Sequence, residues 1–294
     1  MKSYMNTGFQ ATNLATAIEI VKNMRRDNAT IFLGFTSNMG TCGIRENIKY
    51  LVKNKYVHVL ATTIGAIEED VIKCFKPFVL GDYRAQGKYL FEEGINRTGN
   101  IFIPNDRYLY FERFMNLFLK RVYDMQKKTG KIIGIRELIF EFGKELEIQN
   151  IENRESSFTY WAYKNNIAFF CPAILDGSFG DMTYFFKKNY PDFKIDTSDY
   201  IVEVTDLALN CEKMAMIAIG GSVPKHLIAN AGIFREGIDY AVYINTGLEM
   251  EGSNAGAPID EAVSWGKIAS DAQKVKVEAE ASLVFTLIVE NAIK

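Results

Sequence analysis

The sequence has few of the residues that a metal centre or a disulfide framework requires, and it has no long apolar run. Its 294 residues include two histidines and four cysteines. The cysteines lie roughly thirty to a hundred residues apart, a spacing that suits neither a zinc site nor paired disulfides. The longest apolar run, Ala281 to Val289, is nine residues, about half of the roughly 18 that a membrane span needs. Met1 to Asn6 has no apolar segment, so we expect no secretory signal.

The sequence also lacks an excess of charge of either sign. It has 34 Lys+Arg and 36 Asp+Glu, a formal net charge of −2. This balance argues against a protein whose main role is to coat nucleic acid or an anionic membrane. Hydrophobic residues make up 48% of the chain, enough for a substantial core. We found no internal repeat and no long linker, so we expect one globular domain over residues 1–294, in a reducing compartment.

Short apolar runs alternate with helical patterns along the chain. The runs are rich in Val, Ile, Phe and Tyr, and most are too short for helices. They cover residues 31–35, 57–63, 167–173, 214–221, 240–246 and 274–280. Residues 43–53 and 111–122 have the apolar spacing of amphipathic helices. This alternation predicts an α/β fold with a doubly wound, mainly parallel sheet, and the most helical stretch, about 83–165, is expected to be a helical insertion.

Ligands bind such sheets where loops leave the carboxyl ends of the strands. Four of these loops combine small residues with polar groups, at residues 36–43, 62–70, 176–181 and 220–226. The acids Glu68, Glu69 and Asp70 in the second loop suit either a binding site or simply the first turn of a helix, where acids favour the helix dipole. The loops together suggest a nucleotide crevice. No G-x-G-x-x-G occurs, so no fingerprint assigns a dinucleotide.

The two histidines have different surroundings. His58 lies within an apolar strand run and is expected to be structural. His226 follows the Gly-rich loop at 220–222, where a general base would face a ligand, although a helix cap or a surface residue fits the same position.

Lys267 follows a long loop of small residues and lies two positions after Trp265. Desolvation there would lower its pKa and leave a neutral amine able to form an imine. Nearby acids would instead keep it charged, or bind the ammonium groups of a polyamine themselves, and an ordinary solvated lysine is the third reading. The acids in question are Glu249, Glu251, Asp260 and Glu261.

Motifs along nearly the whole chain resemble deoxyhypusine synthase. The most specific is DEAVSWGKI at residues 260–268. The others are TSN (36–38), TTIGAIEEDVIKC (62–74), GINRTGN (94–100), LDGSFGDM (175–182), KHLIANA (225–231), DYAVYINT (239–246) and VKVEAEASLVF (275–285). They occur in the family's own order, from about Thr7 to Phe285.

The resemblance implies a cytoplasmic homotetramer of a Rossmann-like fold with active sites at dimer interfaces. NAD would oxidise spermidine, whose aminobutyl group would pass through an imine on the enzyme to a lysine of the hypusine-bearing translation initiation factor. No metal is implied, and neither nucleic acid nor a membrane is an expected partner.

The resemblance also assigns residues by motif position. Lys267 would carry the imine, and His226 would assist proton removal. The polyamine contacts would be Glu68, Asp181, Asn230, Gly252, Ser253, Asn254, Glu261 and Trp265. The NAD cradle would be Ser37, Asn38, Met39, Gly40, Thr41, Thr63, Ile64, Gly65, Glu69, Asp176, Gly221, Thr246, Gly247, Glu280 and Ala281.

The chain departs from the family pattern at several of these positions. Asn254 stands where the family has Asp, so one carboxylate near the polyamine becomes an amide. Because a charged hydrogen bond contributes about 1.5–3 kcal/mol, this change is expected to weaken polyamine binding. The other departures are Ser222 for Gly, Ala255 for Ser, and Glu for Asp at Glu251 and Glu280, and only about six residues precede the TGFQATN segment.

Two alternatives to a deoxyhypusine synthase stay open. A homospermidine synthase-like enzyme would keep Lys267 and pass the aminobutyl group to putrescine. A regulatory paralogue in a heterotetramer would typically lose the lysine, so Lys267 counts against it.

Overall fold

A computed structural model of the protein describes residues 2–294, which form a central parallel sheet covered by helices. The strands are β1 (Thr30–Phe35), β2 (Val59–Ala61), β3 (Val79–Leu80), β4 (Ile95–Thr98), β5 (Ile101–Pro104), β6 (Ile133–Gly134), β7 (Ala168–Phe170), β8 (Ile195–Asp196), β9 (Met214–Ile219), β10 (Ile238–Asn245) and β11 (Ile268–Glu278).

The α-helices are α1 (Phe9–Arg26), α2 (Ser37–Thr41), α3 (Ile44–Lys53), α4 (Ile64–Phe75), α5 (Gly87–Glu92), α6 (Asp106–Thr129), α7 (Ile135–Ile148), α8 (Phe158–Lys164), α9 (Ser178–Asn189), α10 (Asp199–Leu209), α11 (Ser222–Ile233), α12 (Ile259–Ser264) and α13 (Ala281–Ala292). Short 3-10 helices cover Lys2–Asn6, Arg154–Ser156 and Glu249–Glu251.

The six central strands run in the order β11-β10-β9-β1-β2-β7, and all five pairings are parallel. Each strand overlaps one of the six apolar runs of the sequence, so the predicted α/β fold is confirmed. Numbered by position in the chain, the strands have the 3-2-1-4-5-6 order of dinucleotide-binding sheets. The order reverses between β1 and β9, where such sheets bind their ligands.

The sheet is buried on both faces because helices cover each side. In β1, Ile31, Leu33 and Phe35 pack into one apolar cluster, whereas Phe32 packs into the other. In β9 the residues alternate between the same two clusters. A strand with two buried faces reads as a continuous apolar run, which explains why these segments were visible in the sequence.

The segment between α4 and β7 contains the predicted helices and also strands that the sequence did not reveal. The amphipathic stretch 111–122 lies within α6, as predicted. A small antiparallel sheet of order β3-β5-β4 lies beside these helices. Its strands are two to four residues long, and both residues of β3 are exposed, so they carry no periodic apolar pattern.

A buried ion pair joins three helices next to the sheet. Asp70 of α4 is fully buried, and its Oδ1 accepts a hydrogen bond from Arg45 Nε of α3 at 2.7 Å. Its Oδ2 accepts from Ser157 Oγ at 2.6 Å and from the backbone N–H of Thr159 at 3.0 Å. One carboxylate thus neutralises a buried guanidinium and satisfies the first turn of α8.

We expect Asp70→Asn to lower the free energy of unfolding by about 3 kcal/mol, because it leaves the buried guanidinium of Arg45 with only the exposed carboxylate of Glu46 as an anion. Denaturant titration followed by circular dichroism measures the change. Asp206→Asn, the same substitution at an exposed position on α10, should change stability by less than about 0.5 kcal/mol. Equal stability of the two variants would contradict this account of Asp70.

Candidate active site

The residues predicted to bind a cofactor collect at one edge of the sheet. Parallel strands present their carboxyl ends together, and each predicted residue follows one of the six central strands. The segment 37–41 follows β1, Thr63 to Glu69 follow β2, and Asp176 follows β7. Gly221 follows β9, Thr246 and Gly247 follow β10, and Glu280 and Ala281 follow β11.

Close packing of α2 against α4 forms the first part of this edge. The hydroxyls of Ser37 and Thr63 share a short hydrogen bond. A Cβ at Gly40 would lie 2.9 Å from Ala66, so only glycine allows the two helices to approach this closely. Thr41 donates a hydrogen bond from its hydroxyl to the carboxylate of Glu69.

Burial raises the pKa of Glu69 to about 7. The Thr41 hydrogen bond opposes this shift, and repulsion from Glu68 adds to it. A carboxyl group at the ligand edge therefore changes its charge near neutral pH.

Glu68 has a structural task that the sequence did not suggest. Its carboxylate accepts hydrogen bonds from the backbone N–H groups of Ser178 and Phe179, at 3.2 and 2.9 Å, and so satisfies the start of α9. Burial raises its pKa, while these two hydrogen bonds oppose the shift. Because α4 begins at Ile64, Glu68 and Glu69 lie in its second turn, and the helix-dipole explanation of these acids is wrong.

The loop after β9 has a backbone that requires glycine. Gly220 has a φ of +84°, and a Cβ there would lie 2.6 Å from Thr36. A Cβ at Gly221 would collide with Ala255. Ser222 has a φ of +59°, a left-handed conformation that costs a non-glycine residue about 1–2 kcal/mol. Ser222 thus occupies a position whose backbone conformation favours glycine.

A buried donor without a partner lies at the end of β10. Asn245 Oδ1 accepts from the N–H of Gly247 at 3.1 Å, but Asn245 Nδ2 has no partner within residues 2–294. The hydroxyls of Ser37 and Thr63, the small residues at 220–221 and this free amide donor together suit a polar ligand such as a dinucleotide at the switch point.

His226 lies on α11 between two asparagine side chains. The amide nitrogen of Asn230, one turn along the helix, lies 2.8 Å from Nε2, and that of Asn254 lies 3.3 Å from Nδ1. A neutral imidazole accepts at one nitrogen only, and the shorter contact makes Nε2 the nitrogen that accepts from the amide of Asn230. Desolvation lowers the pKa of His226, and the nearby charges of Lys267 and Lys225 lower it further. The ring is therefore uncharged at neutral pH, as a base must be.

Lys267 lies directly before the first residue of β11, beside Trp265. Its Nζ is 5.5 Å from the centre of the Trp265 indole ring. Its backbone is fixed on both sides, because its N–H donates to Ala262 O at 2.9 Å and its C=O accepts from the N–H of Ile238 at 3.1 Å. Gly266, with a φ of +69°, makes the turn that brings the lysine to the strand.

The predicted catalytic and polyamine-binding residues line two different cavities. Asp181 lines a surface cavity of about 590 Å³ with Asn96, Tyr108 and Ser178. His226 and Asn230 line a different cavity, of about 360 Å³, with Pro172 and Phe234. Glu68 and Asp176 lie near Asp181, because the charges of Asp181 and Asp176 both raise the pKa of Glu68. Asn254 and Lys267 belong with His226.

The other residues that the sequence singled out lie in loops, near helix ends or beside a strand. Glu280 caps α13, accepting from the N–H groups of Ser282 and Leu283 at 3.0 and 2.9 Å. Gly252 has a left-handed φ of +65°, and Ser253 Oγ accepts from the N–H of Gly256 at 3.3 Å. Glu261 is exposed on α12. His58, predicted to be structural, accepts from the N–H of Ile31 at its Nδ1, at 2.9 Å.

Sequence reasoning missed Lys225 and Lys276, which lie beside the predicted site. Both donate hydrogen bonds to the loop that carries Ser253 and Asn254. The only signal in the sequence was their position inside the motifs KHLIANA and VKVEAEASLVF.

Two types of site are absent from the described part of the chain. No group of three or more His, Cys, Asp or Glu side chains in residues 2–294 is arranged to hold a metal ion. None of the helices in this range is long and apolar enough to cross a membrane.

The chain is similar to known proteins over nearly its whole length. The family model for deoxyhypusine synthase matches residues 1–292. A Methanocaldococcus jannaschii protein named as a probable deoxyhypusine synthase is 48% identical, covering 100% of this chain and 91% of its own length. A Schizosaccharomyces pombe protein of the same name is 45% identical, covering 98% and 85%. A solved structure from Entamoeba histolytica that carries this family name has a TM-score of 0.70 at 30% identity, covering 99% and 90%.

We expect Glu69→Gln to remove a pH dependence of stability. The folded-state pKa of about 7 lies above the ordinary value of 4.5. The contribution of the protonated group is therefore complete below about pH 4.5 and is lost as the pH rises through 7. The variant should be close to the wild type at pH 5 and exceed it by about 2–3 kcal/mol at pH 8, as measured by urea unfolding. A constant difference across this range would contradict the assignment.

Proposed function

The chain belongs to the deoxyhypusine synthase family, and from this premise we propose that it transfers the aminobutyl group of spermidine to a lysine of the hypusine-bearing translation initiation factor. The observation that carries the proposal is the proximity of Lys267, which lies beside Trp265 just before β11, to His226, which lies near the start of α11 after β9. A lysine able to form an imine and a neutral base within range of its charge are the two groups that this chemistry needs.

NAD is the proposed cofactor, and the chain's polar groups at the strand ends would hold it. These groups are the hydroxyls of Ser37 and Thr63, the carboxyl of Glu69 and the free amide of Asn245. When bound, NAD would supply the acceptor for a hydride from spermidine and the donor for its return. Close packing at Gly40 and Gly221 would keep water from this reaction.

The protein's own side chains would move the protons and the aminobutyl group. His226 would take a proton from the spermidine nitrogen as the adjacent carbon is oxidised. The amine of Lys267 would then attack the resulting C=N carbon, and loss of 1,3-diaminopropane would leave the aminobutyl group on Lys267 as an imine. Attack by the acceptor lysine would release Lys267 unchanged.

The acids near the site would orient the polyamine. Spermidine is a flexible polycation, so carboxylates spaced along a slot fix its register. We propose Glu261 and Asp181 for this role, with Trp265, Asn230, Asn254, Gly252 and Ser253 as further contacts and Glu68 behind them. Glu261 acts through space on the neighbouring Lys225, which supports a position beside the base.

We propose a cytoplasmic homotetramer, with a second subunit completing each site. The separation of Asp181 from His226 within one chain supports this arrangement. Large exposed apolar side chains provide surface for such contacts, among them Phe9 (97% exposed) and Phe91 (85% exposed).

We expect Lys267→Arg to abolish transfer while NAD affinity changes by less than about twofold, because arginine forms no imine with the substrate. The measurement is intact mass spectrometry after incubation with spermidine, NAD and borohydride, with NAD binding followed by calorimetry. The wild type should carry one aminobutyl adduct on Lys267.

The matched control is Lys274→Arg, on β11 and away from Lys267 and His226. Full transfer by Lys267→Arg would overturn the imine role. A separate assay, in which the translation initiation factor and putrescine compete as acceptors for the wild-type protein, decides between protein modification and homospermidine synthesis.

We expect Asn254→Asp to tighten spermidine binding about tenfold, because a carboxylate returns a charged hydrogen bond to an ammonium group. The same carboxylate beside Nδ1 should raise the pKa of His226, so the acid side of the pH profile of kcat/KM moves to higher pH. Calorimetry and the profile test both effects. Asn210→Asp, at the exposed end of α10, is the control, and unchanged affinity would contradict the expectation.

A further inference from the structure

Two lysines that the proposed chemistry does not use hold the loop of residues 247–256. This 247–256 loop follows β10 and carries Ser253, Asn254 and Ala255. Its Ala255 packs directly on Gly221, at the end of β9. The loop therefore covers the switch point of the sheet, and its position decides where Asn254 lies relative to His226.

Lys225 fastens the loop to α11. Its side chain is buried, with 5% exposure, and its Nζ donates to the backbone carbonyl of Asn254 at 2.6 Å. The ammonium also lies 4.4 Å from the ring centre of Tyr243, a fully buried side chain of β10. Burial lowers the pKa of Lys225 to about 8, and repulsion from Lys276 and Lys267 acts in the same direction.

Lys276 fastens both ends of the loop to β11. Its Nζ donates to Gly247 O at 3.0 Å and to Gly256 O at 2.6 Å. The two carbonyls belong to the first and last residues of the loop, so one ammonium group holds the two ends of the loop together.

The arrangement is costly unless it serves the site. Two ammonium groups lie close enough to repel each other, and their hydrogen-bond acceptors within residues 2–294 are carbonyl oxygens. The exposed Glu261 attracts Lys225 only through space. Burying an ammonium group without a hydrogen-bonded carboxylate costs free energy, which charge-assisted bonds to carbonyls offset only in part. Neutral side chains would fill the same space at lower cost.

We propose that Lys225 and Lys276 are positioning residues that latch the 247–256 loop over the site, with Lys225 fixing Asn254 beside His226 and Lys276 closing the loop. Lys225 directly precedes His226 on α11. Helix α11 therefore carries both His226 and the lysine that holds Asn254 beside it. For its kinetic consequences, this inference rests on the proposed function.

The test compares Lys225→Met and Lys276→Met with Lys274→Met, a control two positions away on the same face of β11. The first readout is hydrogen exchange, by mass spectrometry at pH 7, of the peptide covering residues 246–260. Exchange should be at least about tenfold faster in the two latch variants than in the wild type, because the loop opens more often. The control should exchange at the wild-type rate.

The second readout separates positioning from general damage. Lys225→Met should raise the KM for spermidine about tenfold, with a smaller change in kcat and less than a twofold change in NAD affinity. Lys276→Met, which frees Gly247, should weaken NAD binding as well. Lys225→Arg keeps a charged donor and should restore slow exchange, also serving as the test if Lys225→Met does not fold.

The outcomes distinguish the two proposals. Unchanged exchange in both latch variants overturns the latch, whatever their activity. Fast exchange with wild-type spermidine KM and NAD affinity overturns the positioning role. If the wild type forms no aminobutyl adduct, the proposed function fails. The exchange experiment and calorimetric spermidine affinity then still decide the latch.

Discussion

The buried pair of Arg45 and Asp70 fixes α4, and α4 in turn fixes much of the ligand edge. Three successive acids on this helix bond to four neighbouring helices. Glu68 satisfies the start of α9, Glu69 bonds to α2 through Thr41, and Asp70 joins α3 to α8. Because one helix turn anchors four others, the crevice between α2 and α4 cannot shift without breaking a buried, charged contact.

The strand order explains why residues so far apart in the chain meet at one edge. Six parallel strands deliver six loops to the same side of the sheet. Small residues let these loops approach one another. A Cβ at Gly34, for example, would lie 3.0 Å from Ile228, so glycine allows α11 and its His226 to pack close to β1. The site is thus a consequence of the fold's connectivity and of a few positions without side chains.

The sequence predicted what depends on local pattern and missed what depends on tertiary contact. The six central strands were visible because they are buried on both faces, and the family motifs marked His226 and Lys267. The sheet of β3, β5 and β4 was not visible, because short exposed strands have no periodicity. Glu68 was predicted to contact the polyamine. The hydrogen bonds that its carboxylate accepts come from N–H groups of α9, about 110 residues further along the chain, and no local pattern reveals them. Lys225 and Lys276 looked ordinary because their carbonyl partners lie in a loop.

The carboxyl of Glu69, half-charged near neutral pH, has a thermodynamic consequence for any ligand that reaches it. A ligand that excludes water from Glu69, or that donates a hydrogen bond to its carboxylate, must shift the pKa of Glu69. The protein would then take up or release a fraction of a proton for every ligand bound. The heat measured in a titration would include the ionisation enthalpy of the buffer, and it would differ between phosphate and Tris although the contacts are the same.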